Sequence, residues 1–192
     1  MDDLAGYEVL LGVTGGIAAY KSAMLCSMLV QRQVKVTVAM TENAGRFVGP
    51  ITFSTISGRK VYRDLFESRD IYEIQHIALT ERADLIVIAP ATANIIAKMA
   101  AGICDNLLST LLAAAECNIL IAPAMNARMW KSPTAQRNVA YLKQIGCHFI
   151  GPATGRLACG DEDIGRMCEP GQIMDKVAEL LKNKPPKNNN QQ

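Results

Sequence analysis

The chain has 192 residues, of which 49% are hydrophobic and 20% charged, a composition that suits one globular domain with a substantial core. Its net charge of +2 is too small to indicate nucleic-acid binding. Charged residues interrupt the apolar stretches well before membrane-spanning length, and two acidic residues stand near the N-terminus where a secretory signal is positively charged. We therefore expect a cytoplasmic protein that binds neither nucleic acid nor membranes.

Short apolar runs alternate along the chain with longer stretches of helical periodicity. The runs are rich in Val, Ile and Leu without polar alternation, as in strands buried on both faces, and they predict strands at residues 9–13, 34–40, 85–89, 119–122 and, more weakly, 148–150. Apolar residues at helical spacing predict helices at residues 17–31, 77–83, 93–101, 107–115, 134–145 and 172–183. This alternation predicts a single Rossmann-like α/β domain with a doubly wound parallel sheet over residues 1–181, followed by a disordered polar tail at residues 182–192.

The turn after the first predicted strand, Thr14-Gly15-Gly16, is the first candidate ligand site. Ligands of such sheets bind at the carboxyl ends of the strands, and glycines before a helix allow an anion to approach the backbone. The spacing fits neither a Walker A loop nor the GxGxxG dinucleotide motif, and Thr41 follows the second strand where a dinucleotide site favours an acidic residue. The turn therefore indicates a mononucleotide phosphate, and a tight turn without a ligand is the alternative.

Two later segments that follow predicted strands contain further candidates. Thr92, in the sequence PATAN, either caps the next helix or contacts a ligand. The sequence PAMNARMW at residues 123–130 combines an amide, an arginine, two methionines and the only tryptophan in one loop. The tryptophan and methionine side chains can simply seal the end of the sheet, but the amide of Asn126 is suited to recognising a carboxylate or a carbonyl. We therefore expect Asn126 to contact a ligand.

Histidine and cysteine side chains supply the candidates for proton transfer. His76 has an imidazole that exchanges protons near neutral pH, although a lone histidine is more often structural, and His148 lies in a strand-like run and is interpreted as structural. Cys159 lies in the glycine-rich stretch 151–171, which lacks apolar periodicity and predicts an irregular functional flap. The six cysteines form no CxxC pair and the two histidines are isolated, so we predict free thiols and no metal site.

Five motifs together resemble the flavin-containing cysteine decarboxylases over residues 9–181. They are TGGIAAYK at residues 14–21, His76, PATAN at residues 90–94, PAMNARMW at residues 123–130 and ACGDEDIGRM at residues 158–167. The asparagine motif and the cysteine motif are specific individually, and the order and spacing of all five agree with the family. A small departure, Thr92 where many relatives have serine, preserves the hydroxyl group.

The resemblance implies an FMN-dependent enzyme that decarboxylates 4′-phosphopantothenoylcysteine to 4′-phosphopantetheine in coenzyme A biosynthesis. It also implies homo-oligomers built from trimers, with the flavin near a subunit boundary. The family's flavin contacts are matched by Gly15, Gly16, Ile17, Thr41, Thr92, Ala93, Asn94 and Ala124. His76 matches the active-site histidine, Asn126 the asparagine that holds the substrate carboxylate, and Cys159 the proton donor on the substrate clamp.

The implied chemistry is a redox-neutral decarboxylation in which the flavin accepts two electrons from the CH2–SH group of the substrate and later returns them. After CO2 leaves, Cys159 protonates the enethiolate. Two other functions stay open: a peptide C-terminal cysteine decarboxylase that stops at the enethiol, and a catalytically silent flavoprotein that regulates a partner. Cys159 favours the full reaction, because an enzyme that releases the enethiol needs no such donor. The chain is either a stand-alone enzyme or one domain of the fusion with the substrate-forming synthetase that many bacteria contain.

Overall fold

A computed structural model describes residues 4–65, 75–156, 160, 162–182 and 185–187, without the side chains of Gln75 and His76. The strands of its main sheet are β1 (Glu8–Val13), β2 (Lys35–Met40), β3 (Val61–Tyr62), β4 (Leu85–Ala91), β5 (Asn118–Pro123) and β6 (His148–Phe149). All neighbouring strands are parallel, in the order β3-β2-β1-β4-β5-β6. The strand order reverses at β1 and β4, so the topological switch point lies between the carboxyl ends of these two strands.

Helices cover both faces of the sheet. One face packs against α1 (Ala19–Gln31), α2 (Pro50–Ser57) and α8 (Pro170–Lys182). The other packs against α3 (Gln75–Arg82), α4 (Ala93–Ala101), α5 (Leu107–Ala113) and α7 (Pro133–Gln144), and the short α6 (Ala127–Trp130) follows β5. Successive residues of β1 enter different cores, Val9 and Leu11 on the α1 side and Leu10 on the α5 side. This burial on both faces explains the uninterrupted apolar runs of the sequence.

The doubly wound parallel sheet predicted from the sequence is confirmed, and each predicted strand and helix overlaps an observed one. Sequence patterns miss β3, α2 and α6. Strand β3 has only two residues and α6 only four, and α2 is short and exposes Ile51. Of the predicted tail, the backbone N–H of Lys187 donates to Asp84 Oδ1 at 2.7 Å, and residues 183–184 and 188–192 lie outside the described part. No helix among the described residues is long and apolar enough to cross a membrane, and the cytoplasmic location remains a prediction.

The irregular conformation expected of residues 151–171 is wrong for most of that stretch. Strands β7 (Ala153–Arg156) and β8 (Glu162–Arg166) pair antiparallel as a hairpin, and α8 already begins at Pro170. Most residues of both strands are partly or fully exposed, so no apolar alternation marks them in the sequence. Cys159 belongs to the connection between the two strands, of which Gly160 and no other residue is described.

Candidate active site

A pocket of about 1190 Å³ lies at the carboxyl ends of the strands, around the switch point. Its wall is formed by the loops that follow β1, β4 and β5, the segment after β2, and the end of β8. Asn126 lines this pocket together with every cofactor contact expected from the sequence, namely Gly15, Gly16, Ile17, Thr41, Thr92, Ala93, Asn94 and Ala124. Motifs far apart in the chain thus meet in one cavity, at the place where parallel sheets bind ligands.

Thr14 joins the two loops at the switch point. Its hydroxyl donates to the carbonyl of Pro90 at 2.6 Å and accepts from the backbone N–H of Thr92 at 3.2 Å. The hydroxyl of Ser22, in the first turn of α1, donates to the carbonyl of Ala89 at 2.5 Å. Thr14 and Ser22 are both buried, so these bonds are shielded from water and hold the start of α1 against the end of β4.

The start of α1 is suited to binding an anion. Ala18 occupies the N-cap position, no side chain of the described residues caps the helix there, and its first turn contains no acidic residue. The N–H groups of Ala19 and Lys21 already donate to the carbonyls of Gly16 and Ala18. The preceding glycine turn therefore has to supply part of the N–H groups for an anion, and the helix dipole favours negative charge there. Because the preceding turn lines the pocket, this helix end forms a suitable position for a phosphate group.

Gly15 also lacks a side chain for a reason of packing. A Cβ atom there would lie 2.5 Å from Asn43 Cβ and 2.9 Å from the carbonyl carbon of Asn43. Asn43 belongs to the 3-10 helix Glu42–Arg46, which begins after Thr41. Gly15 therefore allows this short helix to approach the turn, and the close approach brings Thr41 to the pocket. The explanation from sequence alone, room for an anion, is incomplete.

Thr41 and Thr92 both use their hydroxyl oxygens to begin helices. Thr41 Oγ1 accepts from the N–H of Ala44 at 3.3 Å, and Thr92 Oγ1 accepts from the N–H of Ile95 at 3.5 Å. For Thr92 this is the capping alternative anticipated from the sequence, although both residues also line the pocket. Capping uses the oxygen as an acceptor, so the hydroxyl hydrogen of each threonine is the group that could donate to a ligand.

Asn126 begins α6 and is exposed in the pocket wall. Its Oδ1 accepts from the backbone N–H of Arg128 at 2.8 Å. Because that N–H requires an oxygen acceptor, the bond fixes which end of the amide carries the NH2 group. The NH2 group is therefore the part of the Asn126 side chain that can act as a donor.

Lys21, Lys98, Asp105 and Arg166 are charged residues of the pocket wall that receive no role from the sequence. Lys98 pairs with Asp105 at 2.7 Å, and this hydrogen bond lowers the pKa of the Asp105 carboxyl. Lys21 and Arg166 both pair with Glu169, Lys21 at 2.9 Å, and the Lys21 hydrogen bond lowers the pKa of the Glu169 carboxyl. Lys21 and Arg166 lie within the motifs TGGIAAYK and ACGDEDIGRM, so the sequence does mark these two residues. Lys98 and Asp105 lie in neither motif.

Two of the three predicted catalytic residues have side chains outside the described part of the chain. The backbone of His76 belongs to α3 but its side chain is not described, and Cys159 is not described at all. His148, interpreted as structural, lies in β6 opposite Leu120. Among the described residues no cluster of His, Cys, Asp and Glu could hold a metal ion. The structure thus brings Asn126 together with the expected cofactor contacts, and the roles of His76 and Cys159 remain predictions.

The pocket fits a flavin mononucleotide. The uncapped start of α1 offers a phosphate position, and side chains such as Ile17, Ile95 and Met129 supply apolar wall for a planar ring. Its volume of about 1190 Å³ exceeds the roughly 300–1,000 Å³ of ordinary ligand pockets, so a second ligand can lie beside a mononucleotide.

Comparison with known proteins agrees with this fit. The family model described as flavoprotein matches residues 1–182. The coenzyme A biosynthesis bifunctional protein CoaBC of Bacillus subtilis is 50% identical over 172 residues, which cover 90% of this chain and 42% of that protein. The chain therefore spans less than half the length of the curated relatives it matches.

Two similar solved structures cover nearly the whole domain. A mutant PPC decarboxylase complexed with pantothenoylaminoethenethiol is 32% identical with a TM-score of 0.83, over 92% of this chain and 98% of that one. The FMN-dependent cysteine decarboxylase SpaF is 31% identical with a TM-score of 0.81, over 94% of this chain and 98% of that one. These similarities confirm the Rossmann-like flavoprotein fold.

Proposed function

The chain belongs to the flavoprotein family, and from this premise we propose that it decarboxylates 4′-phosphopantothenoylcysteine to 4′-phosphopantetheine in coenzyme A biosynthesis, with FMN as its cofactor. The observation that carries the proposal is the convergence of the turn at Gly15 and Gly16, residues 92–94 and Asn126 in one pocket. Similarity to the PPC decarboxylase and to CoaBC over almost the whole domain supports this substrate.

The pocket residues have separate tasks in this proposal. The start of α1 holds the cofactor phosphate, and the loops after β4 and β5 enclose the ring. Bound FMN supplies the two-electron acceptor that decarboxylation of an acylated cysteine needs. Asn126 donates from its NH2 group to the substrate carboxylate and so orients the carbon that loses CO2. His76 is assigned to proton transfer in the oxidative half, and Cys159 to protonation of the decarboxylated product.

The substitution Asn126→Asp tests the proposal. Aspartate keeps an acceptor for the N–H of Arg128, so α6 remains capped, but it removes the NH2 donor and places a negative charge beside the substrate carboxylate. We expect normal FMN content and a rate of CO2 release lowered about 100-fold or more, as for loss of one essential donor. Flavin absorbance and CO2 released from carboxyl-labelled substrate measure the two effects.

The matched control is Ser132→Asp, which adds the same charge at the N-cap of α7, outside the pocket wall. It should keep both FMN and activity. Normal turnover by the Asn126→Asp variant would show that the Asn126 side chain does not bind the substrate carboxylate. A colourless wild-type protein that cannot be reconstituted with FMN would overturn the proposed function itself.

A second candidate function is decarboxylation of the C-terminal cysteine of a peptide. It is a candidate because SpaF, to which the chain is similar, is an FMN-dependent cysteine decarboxylase. The same assay with a cysteine-terminated peptide distinguishes the two. Release of CO2 from the peptide alone, with an enethiol product two hydrogens lighter than the saturated N-acyl aminoethanethiol, would favour this candidate. Bound FMN without CO2 release from either compound would favour a silent regulator.

The proposal includes assembly into homo-oligomers built from trimers. Ile17, Tyr20 and Met24 are more than half exposed and share one face of the α1 segment, and Ile51 of the neighbouring α2 is 73% exposed. We refer to these four side chains as the α1–α2 face. Ile17 and Tyr20 also line the pocket, so a second copy of the chain on this face would complete the pocket wall.

A further inference from the structure

Lys21 is a buried cation in the wall of the pocket. Its side chain, in the first turn of α1, is only 5% exposed. A lysine ammonium is rarely buried unless a partner compensates for its lost hydration. The groups that pair with Lys21 therefore indicate what it does.

Both partners lie just beyond β8. The Lys21 Nζ donates to the carbonyl of Met167 at 3.2 Å and to Glu169 Oε1 at 2.9 Å. The same carboxylate oxygen accepts from Arg166, the last residue of β8. The Glu169 carboxylate thus pairs with two cations. One is Lys21, on the helix that begins at the cofactor turn, and the other is Arg166, on the hairpin.

The hairpin has a second attachment on the opposite side of the pocket. The backbone N–H of Met125, next to Asn126, donates to the carbonyl of Gly165 at 3.0 Å. The end of β8 is therefore held between the loop after β5 and the start of α1. Arg156 and Arg166 of the hairpin both line the pocket, so these attachments fix part of its wall.

We propose that Lys21 is a positioning residue, which fixes the β7–β8 hairpin against the cofactor-binding helix and thereby shapes the substrate side of the pocket. It acts through Glu169 and the carbonyl of Met167. The expected effect of Lys21 on substrate binding rests on the proposed function, whereas its effect on the attachment of the hairpin does not.

Two substitutions separate the hairpin from α1. Lys21→Met keeps the length of the side chain and removes both bonds, and it leaves no unpaired buried charge because Glu169 is 53% exposed and retains Arg166. Glu169→Gln weakens the same link from the other end. It leaves the buried Lys21 ammonium with neutral acceptors only, so this variant should also lose overall stability. The matched control is Lys176→Met, which breaks the Lys176–Glu179 pair on the surface of α8.

Hydrogen exchange of the FMN-loaded proteins measures the attachment without substrate. In the Lys21→Met variant, amides of β7 and β8 should exchange at least about tenfold faster, while those of β1 and β4 keep their wild-type rates, because only a local unit is released. In the Glu169→Gln variant, the amides of β7 and β8 should again show the largest increase in exchange rate. The Lys176→Met variant should match the wild type throughout, and flavin absorbance should be equal in all four proteins.

Uniformly faster exchange, or loss of FMN, would show that Lys21 merely stabilises the fold, and unchanged exchange in the hairpin would show that it does not hold the hairpin. In the decarboxylation assay, KM should rise about tenfold with a smaller change in kcat, since substrate binding is what the displaced wall loses. An unchanged KM would overturn the catalytic part of the inference. A wild-type protein that releases no CO2 would overturn the proposed function and leave the exchange result intact.

Discussion

Single residues at the switch point serve the fold and the pocket at once. The hydroxyl of Thr14 fixes the loop after β1 to the loop after β4 through the carbonyl of Pro90 and the N–H of Thr92. Gly15 accommodates the backbone of Asn43 from the segment after β2. A change of one heavy atom at Gly15 therefore displaces a loop that belongs to a different part of the sequence.

The substitution Gly15→Ala tests this packing. Its Cβ atom would overlap with Asn43 Cβ at 2.5 Å, so the 3-10 helix that begins after Thr41 has to move away. Overpacking of this kind costs about 1–3 kcal/mol, and the displaced segment is part of the pocket wall. We expect a lower thermal unfolding midpoint and loss of FMN, measured by the ratio of flavin to protein absorbance.

Gly171→Ala is the control for this substitution, because a Cβ atom at Gly171 in α8 meets no atom within 4 Å. It should keep FMN and change stability by at most about 1 kcal/mol, in the favourable direction. If the Gly15→Ala variant binds FMN as the wild type does, the packing explanation is wrong.

Site residues could be predicted from the sequence where they follow a strand, because ligands bind at the carboxyl ends of parallel strands. Pairs of residues that lie far apart in the sequence could not be predicted. Gly15, Thr92 and Asn126 follow strands, and this placement alone marks them. Lys21 is different, since a lysine in an amphipathic helix is ordinarily solvated and its partner Glu169 lies 148 residues away. Only the fold brings that pair together.

Among the secondary-structure elements, the β7–β8 hairpin departs most from what the sequence predicts. Its strands contain glycines and charged residues, and they lie apart from the main sheet, so neither alternation nor an apolar run reveals them. The position of the hairpin depends on a few specific contacts. The carbonyl of Gly165 accepts a hydrogen bond from the backbone N–H of Met125, and the Asp163 carboxylate pairs with Lys131 at 2.7 Å.

These two contacts should differ strongly in strength. A Cβ atom at Gly165 would lie 2.2 Å from the Met125 carbonyl oxygen, and the φ of +142° is one that other residues rarely adopt. The Gly165→Ala variant should therefore lose about 1–3 kcal/mol of hairpin attachment and bind substrate more weakly. The Lys131→Met variant removes an exposed ion pair and should change stability by less than about 1 kcal/mol.

The effects of the Gly165→Ala and Lys131→Met substitutions are compared by thermal unfolding of the FMN-loaded variants and by KM in the decarboxylation assay. Equal effects of the two substitutions would show that the backbone bond at Gly165 is not the principal attachment. Gly171→Ala again serves as a control for the loss of a glycine, because its surroundings are open.

At the scale of the whole molecule, the architecture follows from general rules applied to the apolar runs. Parallel strands need crossovers, crossovers are right-handed, and strands buried on both faces need helices on both sides. β1 and β4 satisfy these conditions along their full length, and their carboxyl ends lie at the pocket. The edge strand β3, by contrast, has only two residues and depends on its pairing with β2, which no local pattern encodes.

The α1–α2 face gives the last prediction, which concerns assembly. Met24 and Ile51 lie on this face outside the pocket wall, so a glutamate at either position places a charge in the proposed contact between copies without touching the cofactor contacts. Light scattering after size exclusion should give the wild type a mass that is a multiple of three chains, and the Met24→Glu and Ile51→Glu variants the mass of one chain, since an unpaired charge is not tolerated in an apolar interface. Ile145→Glu is the control, because Ile145 is 56% exposed at the end of α7, away from this face. A monomeric wild type, or dissociation by the Ile145→Glu variant to the same extent, would show that this face does not join copies of the chain.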